Sequence, residues 1–282
     1  RIESYLNHGF MNENKNNAGI SHLMEHIACN GWEKCGKYCS EYWKKKGCVS
    51  NASTTQSNVN YFIKGLKQYT DEMLDYIINI TINPIIKNER IKFEKKAVHN
   101  ELLIHKQHPQ INAYNDINKL LYKNEGLIYQ DNIDHQIKLL KKFTSQQLKN
   151  WTKKYYSPGN VIFIISGGFN KKKTISLCEQ KLKKFNSVPK INYPLKNIFK
   201  DGFYVKHSLN KNIDNTTIFF VFHFNISYSN KEYHCIDFIE KFINSEATSY
   251  LMFELREKLN KIYNIDIEKY NTPNETLLCI EI

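Results

Sequence analysis

The sequence predicts an α+β fold: an antiparallel sheet with helices packed on it, built as two homologous domains of which the second is incomplete. Three observations predict it. Short alternating or β-branched runs at 48–55, 58–65 and 160–166 carry the two-residue period of strands, while longer stretches between them repeat at the helical period. Their order is strand, helix, hairpin, helices, strand, which is not the regular alternation of a parallel βαβ sheet. A stretch with two prolines and little periodicity, 186–200, then precedes a second set of strands and helices.

Taken in order, residues 2–6 read as the first strand. Apolar residues at 20, 23, 24, 27 and 28 give 18–30 a helical face, and Asn30-Gly31 ends it. A second helix over 35–46 stops at Gly47, and 48–55 with 58–65 forms a hairpin. Helices follow at 69–82 and 89–106, separated by Asn83-Pro84 and closed by Pro109. Two or three more fall within 111–123, 136–142 and 145–156. Pro158-Gly159 introduces the apolar strand 160–166, and a helix over 171–185 leads into the linker. The first domain is placed at 1–190 and the second at 200–282. In the second, strands are expected at 203–208 and 216–224, helices at 231–243 and 246–259, then two more strands. The chain begins at Arg1 in strand-like sequence and stops inside an alternating segment, so it reads as cut at both ends.

With 282 residues, 41% of them hydrophobic, the chain can bury a substantial core. It has no apolar run of the roughly 18 residues that a spanning helix needs, so it reads as soluble, with no membrane partner. A net charge of +12 raises nucleic acid as a partner. The lysine clusters at 44–46, 141–142 and 171–173, however, stand in a composition rich in Asn, Ile and Tyr and read as solvated faces, which makes nucleic-acid binding the weakest reading. Cysteines at 29, 35, 39, 48, 178, 235 and 279 form no CxxC pair and no zinc-ribbon spacing. Their odd number and the chain's size predict reduced thiols in a cytoplasmic compartment, while any mitochondrial leader would stand ahead of Arg1.

The chemistry concentrates in His22-Leu23-Met24-Glu25-His26. Positions four apart on a helix share a face, so both imidazoles can aim at one point, with Glu25 bordering it. Two neutral imidazoles suit Zn2+, but a hydrolytic zinc also needs a third ligand and an open position. Glu101, on the helix expected over 89–106, is the candidate third ligand. Glu94, seven residues earlier on the same face, can stand behind Glu101 or a histidine. The plain alternative is a partly buried helix on which both histidines are merely polar members.

Further segments extend the pattern. The pentapeptide is the inverted zinc motif, and the run Asn17-Ala18-Gly19-Ile20-Ser21 ahead of it resembles its surroundings in the pitrilysin family, which includes insulin-degrading enzyme and the mitochondrial processing peptidases. Asn51-Ala52-Ser53-Thr54 with Tyr61 resembles that family's Asn-Ala-x-Thr…Tyr hairpin, and Glu94 to Glu101 resembles its Glu-x-x-x-Val-x-x-Glu helix. Tyr155-Tyr156-Ser157-Pro158-Gly159-Asn160 resembles its Tyr-Tyr-x-Pro-x-Asn segment, and Leu255-Arg256-Glu257-Lys258 with Tyr263 resembles the Leu-Arg-Glu-Lys…Tyr signature of its next domain.

The resemblance implies a zinc endopeptidase acting on peptides or unfolded segments, with one Zn2+ held by His22, His26 and Glu101. It implies Glu25 as general base and Glu94 as support for the ligands. The strand with Asn51 and Ala52 would pair with extended substrate. Arg256 and Tyr263 resemble a pair that reaches the substrate carbonyl from an opposing half, which implies a homodimer or a second half closing a chamber. Ser57 where relatives are often acidic, Val59 for a frequent Thr, and Asn260 for a usual Gly depart from the family pattern. A catalytically silent scaffold subunit is the alternative.

Overall fold

The computed structural model describes residues 1–108, 110–190, 202–207, 216–227, 229–244, 249–271 and 275–282. Pro109, Ser208, Glu246 and the part of the expected linker from 191 onward lie outside them. The chain divides into two compact units, Arg1–Tyr193 and Pro194–Ile282.

The first unit is built on four strands: β1 (Ile2–Leu6), β2 (Val49–Thr54), β3 (Val59–Lys64) and β4 (Val161–Ile165). They form an antiparallel sheet in the order β2-β3-β1-β4. Ile2 lies opposite both Ile63 and Ile165, and Thr54 lies opposite Val59. The register puts Ile2, Ser4 and Leu6 of β1 and Val59, Tyr61 and Ile63 of β3 on one buried face. Helices α1 (Ile20–Cys29) and α3 (Thr70–Ile82) pack there, and the Ser4 hydroxyl meets that of Thr81 at 2.7 Å. A short α2 (Cys39–Lys44) leads into β2, and the long α4 (Asn88–Lys106) crosses α1. Helices α5 (Ile111–Leu121), α6 (Glu125–Tyr129), α7 (Ile133–Lys142), α8 (Ser145–Tyr155) and α9 (Lys171–Leu182) complete the unit. No described helix is long and apolar enough to cross a membrane.

The second unit has a three-stranded antiparallel sheet, in the order β5 (Phe219–Phe224), β7 (Thr276–Glu281), β6 (Asp266–Asn271). Helix α10 (Tyr233–Asn244) packs on β6, and α11 (Tyr250–Met252) runs on into a π-helical turn, Phe253–Lys258. Its core gathers Met252, Ile265, Ile267, Leu278 and Ile280.

Three expectations are corrected and one element is added. The helix expected over 35–46 is a 3-10 turn, Glu33–Cys35, followed by α2, because Gly36 takes a φ of +67° that a continuous helix excludes. That bend brings the Cα atoms of Cys35 and Cys39 to 4.8 Å and a disulfide joins them, so not all seven cysteines are thiols; Cys29, Cys48, Cys178, Cys235 and Cys279 are free. Residues 203–207 are not a strand: Phe203 is 92% exposed, and the stretch joins no strand ladder among the described residues. The five-residue α6, unseen in the sequence, is too short to show a period; the Asn124 side chain caps it by accepting from Leu127 N–H at 3.1 Å.

Candidate metal centre

The site begins with how α1 is held. Gly19 ends the preceding loop at φ +88°, a conformation costly for any residue with a Cβ. The buried Glu13 carboxylate accepts from Gly19 N–H at 2.7 Å and Ser21 N–H at 2.8 Å, satisfying two of the unpaired donors at the helix start. Burial pushes the Glu13 carboxyl up to about 7, with the two amides pulling the other way. Leu23, Met24, Ile27 and Ala28 fix the other face of α1 in the core.

That anchoring sets His22 and His26 one turn apart toward α4. His22 Nε2 and His26 Nε2 stand 3.2 Å apart, and Glu101 Oε2 lies 3.5 Å from the first and 3.2 Å from the second. A tetrahedral zinc with bonds of about 2.0–2.1 Å has ligand-to-ligand edges of roughly 3.3 Å. The three donors therefore fit such an ion, and they are the group of three metal-ligating side chains found among the described residues. Burial, reinforced by the charges of His26 and His105, holds His22 down to about 4, which keeps it neutral and able to bind metal. His26 is lowered by burial, but the carboxylates of Glu94, Glu101 and Glu25 outweigh that and raise it.

Behind His26, Glu94 places Oε2 3.5 Å from Nδ1, while its Oε1 accepts from Asn30 Nδ2 and Arg90 Nη1, each at 3.2 Å. Glu25 is buried, and burial raises its carboxyl above the ordinary range, with Glu101 adding to the rise. The Thr54 hydroxyl of β2 donates to Glu25 Oε2 at 2.6 Å and, with His26, restrains the shift. The arrangement thus combines a three-donor cradle with a buried carboxyl whose pKa burial raises.

Residues 2–130 match the family model Insulinase (Peptidase family M16), and residues 142–282 match Peptidase M16 inactive domain. The chain belongs to peptidase family M16. An uncharacterized zinc protease of Rickettsia felis is 25% identical over 255 residues, which cover 90% of this chain and 60% of that protein. The Caenorhabditis elegans mitochondrial-processing peptidase subunit beta is 22% identical over 180 residues, 64% of this chain and 39% of that one. The crystal structure of a protease from Helicobacter pylori shares the fold, with a TM-score of 0.84 at 18% identity, covering 99% of this chain and 68% of that one. The chain thus spans less than two thirds of the length of both curated relatives. The junction between the two M16 matches falls inside the first unit, where β4 pairs with β1.

Of the residues singled out in the sequence, the structure brings His22, Glu25, His26, Glu94 and Glu101 together. Asn51 and Ala52 lie on β2, at an edge of the sheet, three and two residues before Thr54. The Asn51 side-chain oxygen accepts from Ala52 N–H at 2.9 Å. Arg256 and Tyr263 belong to the second unit, where the guanidinium carbon sits 5.1 Å from the tyrosine ring centroid and Tyr263 is 83% exposed. Asn260, the departure noted before Tyr263, takes a left-handed φ of 49°. Sequence reasoning cited Thr54 only as a hairpin match and Asn30 only as a helix stop, and passed over Glu13 and Arg90. The strand period that puts Thr54 on the Ala52 face was a usable signal; the other three depend on contacts between distant elements.

Proposed function

We propose that the chain is a zinc-dependent endopeptidase that cleaves peptides or unfolded protein segments, with His22, His26 and Glu101 as metal ligands. The convergence of their three donor atoms at 3.2–3.5 Å beside Glu25 carries this reading. A zinc ion held by His22, His26 and Glu101 would supply Lewis acidity toward a water molecule and a peptide carbonyl. Glu25 takes the proton of that water and returns it to the leaving amine; its raised carboxyl pKa suits both duties. Thr54 holds one Glu25 oxygen and leaves the other for proton transfer. β2, pairing through β3 alone among the described strands, receives extended substrate along its open edge, so that backbone rather than sequence supplies most contacts. Arg256 and Tyr263 act on the substrate carbonyl from an opposing half or a homodimer partner, where Tyr263 can donate to the developing oxyanion.

The inactive-domain match of the second part favours one rival, a catalytically silent scaffold. Zinc content and cleavage of a quenched peptide by the full-length protein, beside Glu25→Gln, separate the two. The endopeptidase reading expects equal zinc in both, with turnover falling about 10²–10⁴-fold in the variant. Wild-type protein without zinc would sink the ligand set, and zinc without turnover in either protein would favour the scaffold.

A further inference from the structure

Glu94 can orient His26 only if its own carboxylate is fixed. Oε2 faces His26 Nδ1, whereas Oε1 takes two donors, Asn30 Nδ2 from the end of α1 and Arg90 Nη1 from the preceding turn of α4. Both donors are themselves tied to one stretch of backbone. The Asn30 side-chain oxygen accepts from Cys39 N–H at 3.1 Å, and Arg90 Nη2 donates to the Lys37 carbonyl. Cys39 is in turn joined to Cys35.

An asparagine at position 30 suits this place because one amide carries both an acceptor and a donor. The opposite amide orientation would set its oxygen against a carboxylate and its NH2 against an N–H, so the network allows one arrangement. We propose that Asn30 is a positioning residue of the metal centre: it locks Glu94 in the rotamer that aims Oε2 at His26 Nδ1, and it transmits the placement of segment 37–39 to that histidine. A fixed partner at Nδ1 keeps the proton there and leaves the Nε2 lone pair for the metal. The inference rests on the zinc reading above and adds a residue that contacts neither metal nor substrate.

Zinc affinity, measured by competition with a chromophoric chelator on the full chain, tests it without any need for turnover. Asn30→Asp keeps an acceptor for Cys39 N–H but sets a carboxylate against Glu94. A purely structural role at the end of α1 therefore expects affinity close to wild type, whereas positioning through Glu94 expects a loss of about tenfold or more. Asn30→Ala should lose a similar factor, and in a Glu94→Ala background it should cost less than about twofold further, because coupled residues are not additive. Should Asn30→Ala not fold, Asn30→Asp decides alone. Wild-type affinity in Asn30→Asp, or an undiminished Asn30→Ala effect without Glu94, overturns the inference and leaves the ligand set standing. A wild-type chain with no zinc affinity removes both.

Discussion

The two units are made of the same kinds of element and differ in what they bury. In the first, α1 lies between β2 and α4, and the buried carboxylates Glu13, Glu25 and Glu94 are each matched by donors from another segment. In the second, Glu275 is the one buried carboxylate among the described residues; Lys269 pairs with Asp237 and Glu240 across α10 and β6, and Arg256 rests on an exposed tyrosine. Large apolar side chains there, Phe220, Phe222, Phe238 and Phe242 among them, are about half exposed or more. Burial is what makes the difference chemical. A carboxylate removed from water takes the orientation that its donors dictate, and where burial outweighs those donors, as at Glu13 and Glu25, its pKa rises.

If that contrast is right, metal binding belongs to the first unit alone. His26→Ala should lose stoichiometric zinc and all turnover, because it removes a ligand and the group that Glu94 holds. Arg256→Ala should retain one zinc per chain, whatever it does to cleavage. Elemental analysis of the dialysed variants reads both, and loss of zinc from Arg256→Ala would break the division.

The same contrast explains what the sequence could disclose. His22, His26 and Glu25 were legible because i, i+3 and i+4 spacing on one helix is local, and Glu94 with Glu101 because seven residues again share a face. Strands 48–55 and 58–65 were legible from a two-residue period, and the structure trims each by a residue or two. What stayed hidden depends on segments far apart in sequence: Glu13 capping α1, Asn30 and Arg90 clamping Glu94, and the Cys35–Cys39 link made by the Gly36 bend. The expected strand fails over 203–207 for the opposite reason. Its alternation was real, but alternation makes a strand only where a neighbour accepts its hydrogen bonds.

A smaller effect sharpens the comparison through histidines. His8 in the first unit is fully enclosed by Trp151, Tyr155 and Tyr156, and neither ring nitrogen has a partner among the described residues. Burial pushes it down to about 3 from 6.5. A lowered folded-state pKa means stability that is present above 6.5 and lost as pH falls toward 3. At pH 5 this amounts to about 2 kcal/mol, since each unit is worth roughly 1.4 kcal/mol. Urea unfolding at pH 8 and pH 5 should show His8→Phe relieved of that loss. His234→Phe, on the exposed surface of α10, should leave the acid sensitivity of the wild type unchanged. Equal pH dependence in wild type and His8→Phe would mean that His8 is not sealed from water.

The smallest expected effect concerns the edge of the first sheet. Asn51 accepts from the amide of Ala52 on the strand proposed to receive substrate, so an incoming segment meets that side chain before it meets the backbone. If Asn51 then turns to hold the substrate, Asn51→Ala removes one hydrogen bond, worth about 1 kcal/mol net. That corresponds to a rise in KM of roughly fivefold. Zinc content and kcat should not move, because the contact is made equally in ground and transition states. A fall in KM would assign Asn51 the opposite duty, covering an open edge amide against unwanted pairing, as edge strands commonly require. Either sign would show that Asn51 acts at the open edge of β2, whereas an unchanged KM would remove Asn51 from the substrate path.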